Sequence, residues 1–466
     1  MDFLNQLVSD VNGVLWGVFF LIPLLCGTGI FYTIKLRFVQ VRKFGLAARF
    51  LLGGASLFGK RADKSGMSSF QALATAVAAQ VGTGNVAGTA TALVAGGPGS
   101  LFWLWVAAFF GMATIFAEAV LAQTYRTKDE QGRVLGGPAY YITLGMGEKW
   151  RPLAVFFSIA IIIALGCIGN MVQSNSIAHA MQTAFNVPAA VSGVVCAVLA
   201  GLVFFGGVGR LASVTEKIVP FMAAIYLIGG LWVIGAHITE VIPAFRLIFV
   251  AAFDPEAVMG GALGLTVAKA MQFGVARGLF SNEAGMGSTP HAHALANVKN
   301  PHEQGTVAMI GVFIDTFVVL TMTALVVIST LYAGNGPLAH GAVDGISKTN
   351  MAQLAFSSVF GETLGNAFVA ICLLFFAFST IVGWNLFGRI NVNYLFGKKA
   401  NLPYSIIALV FIFLGSCLSN DLVWELTDMF NQLMVLPNVI ALMALSGLVA
   451  VAARKCGDVH ERELHK

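Results

Sequence analysis

Residues 71–88 read Gln71-Ala72-Leu73-Ala74-Thr75-Ala76-Val77-Ala78-Ala79, then Gln80-Val81-Gly82-Thr83-Gly84-Asn85, then Val86-Ala87-Gly88. An apolar, helix-favouring run is cut near its middle by two glycines around a threonine. Glycine in a helix interior costs about 1 kcal/mol relative to alanine, so this spacing predicts an unwound point within a membrane span. The N–H and C=O groups freed there are tolerated in lipid only where they line a buried cavity. A second interrupted run reads Lys269-Ala270-Met271-Gln272-Phe273-Gly274-Val275-Ala276-Arg277-Gly278, with its break expected at Phe273–Gly274. The competing reading of both runs is a small-residue face for close helix packing.

The rest of the chain supplies the membrane context. Of its 466 residues 57% are hydrophobic and 11% charged, whereas a soluble domain carries about 25% charged residues. The apolar residues gather in runs of about 20, long enough to cross a hydrocarbon core of roughly 30 Å. Backbone groups in lipid must be satisfied within the segment, so the runs read as helices; the alternation of a membrane β-barrel is absent. Eleven runs lie near 11–34, 68–97, 100–124, 152–181, 189–208, 214–236, 259–280, 306–334, 366–392, 402–418 and 430–452. Setting the first aside leaves five plus five, and each break falls in the first helix of its half. Five is odd, so the second half enters the membrane from the opposite side. That is the plan of secondary transporters built from inverted repeats around discontinuous helices.

Charge fixes an expected orientation. With the N-terminus outside, 24 of the 27 lysines and arginines fall in cytoplasmic stretches, eight of them in 35–67 (Lys35, Arg37, Arg42, Lys43, Arg49, Lys60, Arg61, Lys64). Arg277 is counted among the 24, whereas Arg246 and Lys348 fall outside and Lys269 lies in a span. The net charge of +5 is thereby assigned to the inner leaflet, not to nucleic acid. Cys26, Cys167, Cys196, Cys372, Cys417 and Cys456 show no disulfide or zinc spacing. The first run lacks a basic n-region and reads as a retained helix. Gly82-x-Gly84-x-x-Ala87 matches a dinucleotide fingerprint but lacks the βαβ unit that motif needs. No H-E-x-x-H and no serine–histidine pair within spans suggests an enzyme, and a channel would show a repeated pore motif or charged rings. The expected division is an extra helix and basic connection over 1–67, a first repeat over 68–236, an extracellular connection over 237–258, a second repeat over 259–452 and a cytoplasmic tail over 453–466.

The run Gly96-Gly97-Pro98-Gly99-Ser100-Leu101-Phe102-Trp103-Leu104-Trp105-Val106, ending at Gly111, resembles the signature of the sodium:alanine/glycine symporter family. So does Gly274-Val275-Ala276-Arg277-Gly278-Leu279-Phe280-Ser281-Asn282-Glu283-Ala284-Gly285. Ser100 and Leu104 depart mildly from the commonest residues of that signature. The resemblance extends over nearly the whole chain. It implies an all-α, leucine-transporter-type 5+5 inverted repeat with one extra N-terminal helix, about eleven spans in all. It also implies cotransport of alanine or glycine with sodium across a plasma (inner) membrane, by alternating access.

A zwitterionic amino acid needs partners at both ends. The N–H groups of Gly82 and Gly84, at the positive end of a half-helix, suit its carboxylate. Thr83 and Gln80 add side-chain hydrogen bonds, and carbonyls freed around Phe273, Gly274 and Val275 suit its ammonium. By the resemblance, the Ser379 and Thr380 hydroxyls and the Phe376 carbonyl form one wall of a sodium site, and the Ala78 and Val81 carbonyls the other. Asn85 matches an ion-ligand position in related transporters. Phe273 and Trp384 are either a pocket wall and gate or core aromatics. Gly166, Gly169, Asn170 and Gln173 either contact substrate or join helices. Of the intramembrane charges, Lys269, Asp315 and Glu118, none is placed in the substrate site, no acid or arginine is expected beside the first break, and structural pairing is expected for Glu118. His291, His293 and His302 are expected solvated in a cytoplasmic connection. Sodium is the only ion expected, as cargo; no cofactor, transition metal, nucleic acid or obligate protein partner is expected. A proton-coupled transporter of the same architecture is the alternative.

Overall fold

The computed structural model describes residues 8, 11–12, 21–53, 66–254, 266–334, 336–340, 350–418 and 420–454. Lys60, Arg61 and Lys64, the start of the first apolar run, residues 255–265, Lys348, Cys456 and the tail from 455 lie outside the described residues. Helix α1 (Leu21–Lys35) precedes the first broken helix, which consists of α2 (Ser69–Gln80), a π-helical stretch Gly84–Gly88 and α3 (Thr89–Gly96). Next come α4 (Ser100–Thr124), α5 (Glu148–Phe185), α6 (Ala189–Phe204) and α7 (Gly207–Ala236). The second broken helix consists of α8 (Val267–Asn282) and α9 (Pro290–Ala294). Then follow α10 (Pro301–Tyr332), α11 (Met351–Phe360), α12 (Glu362–Phe396), α13 (Asn401–Cys417) and α14 (Asn420–Ala444). A two-stranded antiparallel hairpin, β1 (Thr127–Lys128) and β2 (Val134–Leu135), lies between α4 and α5.

Among the described residues, seven helices are long and apolar enough to cross a membrane: α4, α5, α7, α10, α12, α13 and α14. Large apolar side chains such as Leu202, Ile228, Leu231 and Trp232 are exposed on α6 and α7, as a lipid-facing surface requires. Two helices organise the interior. α4 packs on α1, α8 and α10, and α12 packs on α2, α5 and α7. The broken helices are thus held from two sides, α8 by α4 and α2 by α12.

Local chemistry sets the helix ends. Ser68 and Gln71 form a reciprocal capping box at the start of α2, each side chain accepting the other's backbone N–H at 3.1 Å. Proline stands at the first position of α9 and of α10, where its missing N–H costs nothing. Met67 donates its N–H to the Leu295 carbonyl at 2.9 Å and accepts from Asn297 at 2.8 Å, tying the start of α2 to the chain just beyond α9. The Tyr32 hydroxyl donates to the Leu442 carbonyl, and Lys35 donates to the Ser446 hydroxyl at 2.7 Å, tying α1 to α14 and to the chain just beyond it.

The first break lies where the sequence places it: α2 stops at Gln80 and the chain turns through Val81–Thr83. The second does not. α8 runs unbroken through Phe273 and Gly274 to Asn282, and the interruption is Glu283–Thr289. At Gly274 an added Cβ would stand 2.2 Å from the Ser100 carbonyl oxygen, and at Gly278 3.1 Å from Leu104. Those glycines let α8 lie against α4, which is helix packing. Glu283, Gly285 and Gly287 take positive φ of 58°, 88° and 80°, and this is where the helix is turned.

Candidate functional site

The first turn is stitched by amides. The Gly82 N–H donates to Asn85 Oδ1 at 2.9 Å, and the Thr83 N–H to Gln173 Oε1 of α5 at 3.2 Å. Gln80 Nε2 donates to the Asn282 carbonyl at the end of α8, at 2.7 Å, so the two breaks face each other directly. Two side-chain oxygens of this turn, Gln80 Oε1 and Thr83 Oγ1, are buried with no hydrogen-bond partner among the described residues, as is Asn170 Oδ1 of α5. Each such group costs about 1–3 kcal/mol if left unsatisfied, so a polar ligand is the natural completion.

An oxygen cluster joins the first turn to α12. Thr380 Oγ1 lies 2.9 Å from the Ala78 carbonyl, 3.4 Å from that of Val81 and 3.1 Å from that of Phe376. Ser379 Oγ lies 2.8 Å from the Phe376 carbonyl and 3.4 Å from that of Ala78. Gly82 is packed so closely on this wall that a Cβ would stand 2.4 Å from Thr380 Oγ1. Five oxygens, three carbonyl and two hydroxyl, thus converge from two helices. Hard cations take oxygen donors, and this set carries no formal charge.

Acids also gather at the breaks, contrary to the sequence expectation. Asp315 of α10 is fully buried beside the first turn, accepting from Asn85 Nδ2 at 2.7 Å, Ser281 Oγ at 2.8 Å and Thr316 Oγ1 at 2.8 Å. Glu283 accepts from Trp384 Nε1 and Ser288 Oγ. Glu118 of α4 accepts the N–H of Gly285 at 3.2 Å, that of Gly287 at 3.0 Å and Asn438 Nδ2 at 2.6 Å. It holds the second break in shape, a structural pairing.

Other expected residues fall elsewhere. Phe273 is half-buried against Gly96 of α3, and Gly274 and Val275 are packed within α8, about two turns before its break. Gly166 seats the Tyr404 hydroxyl of α13, 2.5 Å from where a Cβ would stand, and its carbonyl accepts Asn170 Nδ2. Gly169 accommodates the Trp384 ring, whose edge also meets Phe280 at 6.1 Å between centroids. Phe280 in turn reaches within 3.1 Å of the Cβ position of Gly84.

The histidines are not solvated. His291 and His293 are fully buried and His302 nearly so. The His291 ring stacks between Phe157 and Phe387 and meets Asn391 at 2.8 Å. Among the described residues no group of three histidine, cysteine or acidic side chains is placed to hold a metal. Lys269 is exposed near the start of α8. Arg277 does not lie in a connection. It sits inside α8, paired with Asp428 of α14 through two bonds of 2.9 and 2.7 Å, with its guanidinium 5.2 Å from the Trp424 ring. Phe280 meets the same indole at 5.2 Å. Ion pair and aromatics therefore stack over one side of the breaks. A separate cleft of about 260 Å³ runs past Arg133, Leu295, Leu386, Arg389 and Asn393.

Two facing broken helices inside a helical bundle define a multi-pass membrane transporter of the leucine-transporter type. The fold is shared with the crystal structure of MhsT in complex with L-phenylalanine, at a TM-score of 0.62 and 12% identity, covering 85% of this chain and 93% of that one. A manganese transporter from Eremococcus coleocola (mutant H236A) aligns at a TM-score of 0.51 and 13% identity, over 83% and 78% of the two chains. The chain belongs to the sodium:alanine symporter family, whose description matches residues 1–464. It is 40% identical to the sodium/alanine symporter AgcS of Methanococcus maripaludis, over 99% of both chains. It is 38% identical to the amino-acid carrier protein AlsT of Bacillus subtilis, over 96% of this chain and 91% of that one. The protein is a secondary amino-acid transporter and not an enzyme.

Proposed function

We propose that this protein imports a small neutral amino acid, alanine and/or glycine, together with sodium, by alternating access. The observation that carries the sodium reading is the oxygen cluster of Ala78, Val81, Phe376, Ser379 and Thr380 between the first broken helix and α12. A cation held there ties two packing units into one arrangement, and its release lets one rock against the other. The substrate carboxylate meets the turn at Gly82–Asn85, at the positive end of the half-helix that continues into α3. The ammonium meets the carbonyl end of α8 at Asn282–Glu283, roughly two to three turns beyond the position expected from the glycines. Phe280 and Trp384 wall the space beside Gly84 and limit the side chain. The units are 5+5 inverted repeats, 68–236 and 259–452, behind an extra first helix. The protein lies in the plasma (inner) membrane, N-terminus outside and C-terminus in the cytoplasm.

The driving force is sufficient. One charge moved through 100 mV is worth about 2.3 kcal/mol, roughly a fiftyfold concentration ratio at 1.4 kcal/mol per decade. A proton-coupled reading draws on one observation: Asp315, buried against Asn85 at the first turn. Alanine uptake into proteoliposomes under an imposed sodium gradient at constant pH, then under a proton gradient with choline replacing sodium, separates the two. Uptake only in the first arm supports sodium coupling; uptake only in the second overturns it.

A further inference from the structure

We propose that Glu283 is a positioning residue for substrate selection: it holds the Trp384 indole in place as the wall of the pocket. The inference rests on the reading of Trp384 as a pocket wall given above. Glu283 is the first residue past α8, at φ 58°, and is fully buried. Glycine or asparagine is the usual occupant of such a left-handed helix end, and a carboxylate out of water needs donors. A glutamate here is therefore doubly costly, and its side chain has a specific task. One carboxylate oxygen accepts the Trp384 indole N–H and the other accepts the Ser288 hydroxyl, each at 2.5 Å.

The indole needs that acceptor. Trp384 is 2% exposed, and a buried tryptophan N–H ordinarily finds a partner. Its ring is located at three points, each from a different element. Gly169 of α5 leaves a seat in which a Cβ would stand 2.7 Å from the ring, Phe280 of α8 meets it edge-on, and Glu283 of the second break takes its N–H. Trp384 also stands one helical turn from Thr380, the residue through which α12 touches the first break. The same face of α12 thus grips both broken helices, the first through hydroxyls and the second through an indole. Loss of the Glu283 acceptor frees the ring to tilt from Phe280 and enlarges the space beside Gly84.

The test is selectivity in reconstituted full-length protein, with alanine, valine and leucine as substrates and sodium present. Leaving the buried indole N–H without its acceptor costs enough to shift KM roughly tenfold or more. Glu283→Ala is expected to raise the alanine KM by about that factor and to admit valine and leucine. Glu283→Gln, which keeps an acceptor oxygen, is expected to restore alanine selectivity relative to Glu283→Ala. Trp384→Phe should mimic Glu283→Ala, and the double variant should add little to either. A Glu283→Ala protein whose maximal rate falls equally for all substrates, with selectivity unchanged, overturns the proposal. So does a Glu283→Gln protein no more selective than Glu283→Ala. If Glu283→Ala does not fold, Trp384→Phe decides: admission of valine and leucine by Trp384→Phe but not by Glu283→Gln supports the proposal, and unchanged selectivity in Trp384→Phe overturns it. A readout independent of transport separates this link from the functional reading. The indole hydrogen-bond band of Trp384 in ultraviolet resonance Raman, taken as wild type minus Trp384→Phe, should indicate a strong acceptor and weaken in Glu283→Gln. A band typical of a free indole in wild-type protein refutes the link even if alanine transport is sodium-coupled.

Discussion

Removing Arg277 should destabilise the protein far more than removing the pair to which it belongs. Arg277 and Asp428 share two parallel N–H···O bonds of 2.9 and 2.7 Å, and each side chain is 10% exposed. At that burial the pair does not behave as a surface ion pair, for which about 0–1 kcal/mol is typical. Arg277→Met leaves the Asp428 carboxylate out of water without its counter-charge, at an expected cost of about 3–5 kcal/mol. It also removes the cation from the Trp424 face, a contact worth about 0.5–2 kcal/mol. Asp428→Leu strands the guanidinium at similar cost. The double variant Arg277→Met/Asp428→Leu replaces charge by apolar volume between α8 and α14 and should return to within about 2 kcal/mol of wild type. The assay is reversible denaturant unfolding of the detergent-solubilised protein for all four species, read as a double-mutant cycle. Single variants within about 0.5 kcal/mol of wild type, or a double variant whose cost is the sum of the two, would refute a buried, mutually dependent pair.

Gly82→Ala places a Cβ 2.4 Å from Thr380 Oγ1, so the hydroxyl must leave the oxygen cluster; the sodium concentration for half-maximal uptake should rise about tenfold or more, for a loss of about 1.4 kcal/mol or more, while the protein still folds. Gly274→Leu meets the Ser100 backbone carbonyl at 2.2 Å, which cannot swing away as a side chain can, so yield and thermal stability should collapse. Phe273→Ala, a half-buried truncation, should leave alanine KM within about threefold of wild type, below the ~1 kcal/mol of a typical hydrogen bond; a larger shift would return Phe273 to the pocket. Glu118→Ala strips the acceptor from the Gly285 and Gly287 N–H groups and from Asn438, at about 1–3 kcal/mol for each donor left buried and unpaired. Limited proteolysis should then cut the 283–289 segment first.

The first break was readable because two glycines around a threonine, followed by asparagine, interrupt an apolar, helix-favouring run near its middle. The second was misplaced because glycine has two uses in membrane helices. Gly274 and Gly278 serve close approach to α4, whereas the turning signals begin about two to three turns further on, in Gly285-Met286-Gly287-Ser288-Thr289-Pro290. Two spaced glycines followed by serine, threonine and a helix-starting proline are turn chemistry, and that pattern was the better guide. The oxygen wall at Ser379–Thr380 came from family resemblance, since a hydroxyl pair in a helix commonly bonds its own backbone, as both also do here to Phe376. Glu283, Asp315 and the Arg277–Asp428 pair were not legible as site or partner. Partners such as Asn85 and Asp315 lie 230 residues apart, and helical periodicity says which face is buried but not which distant residue meets it.

The central claim is that a sodium ion at the Thr380 cluster couples the first broken helix to α12. It is tested most directly by the sodium dependence of alanine uptake in proteoliposomes carrying Thr380→Ala beside wild type. The account predicts saturable, sodium-dependent uptake by wild type and a half-saturating sodium concentration at least about tenfold higher in the variant, the equivalent of about 1.4 kcal/mol. A correctly folded Thr380→Ala protein with wild-type sodium dependence would contradict it.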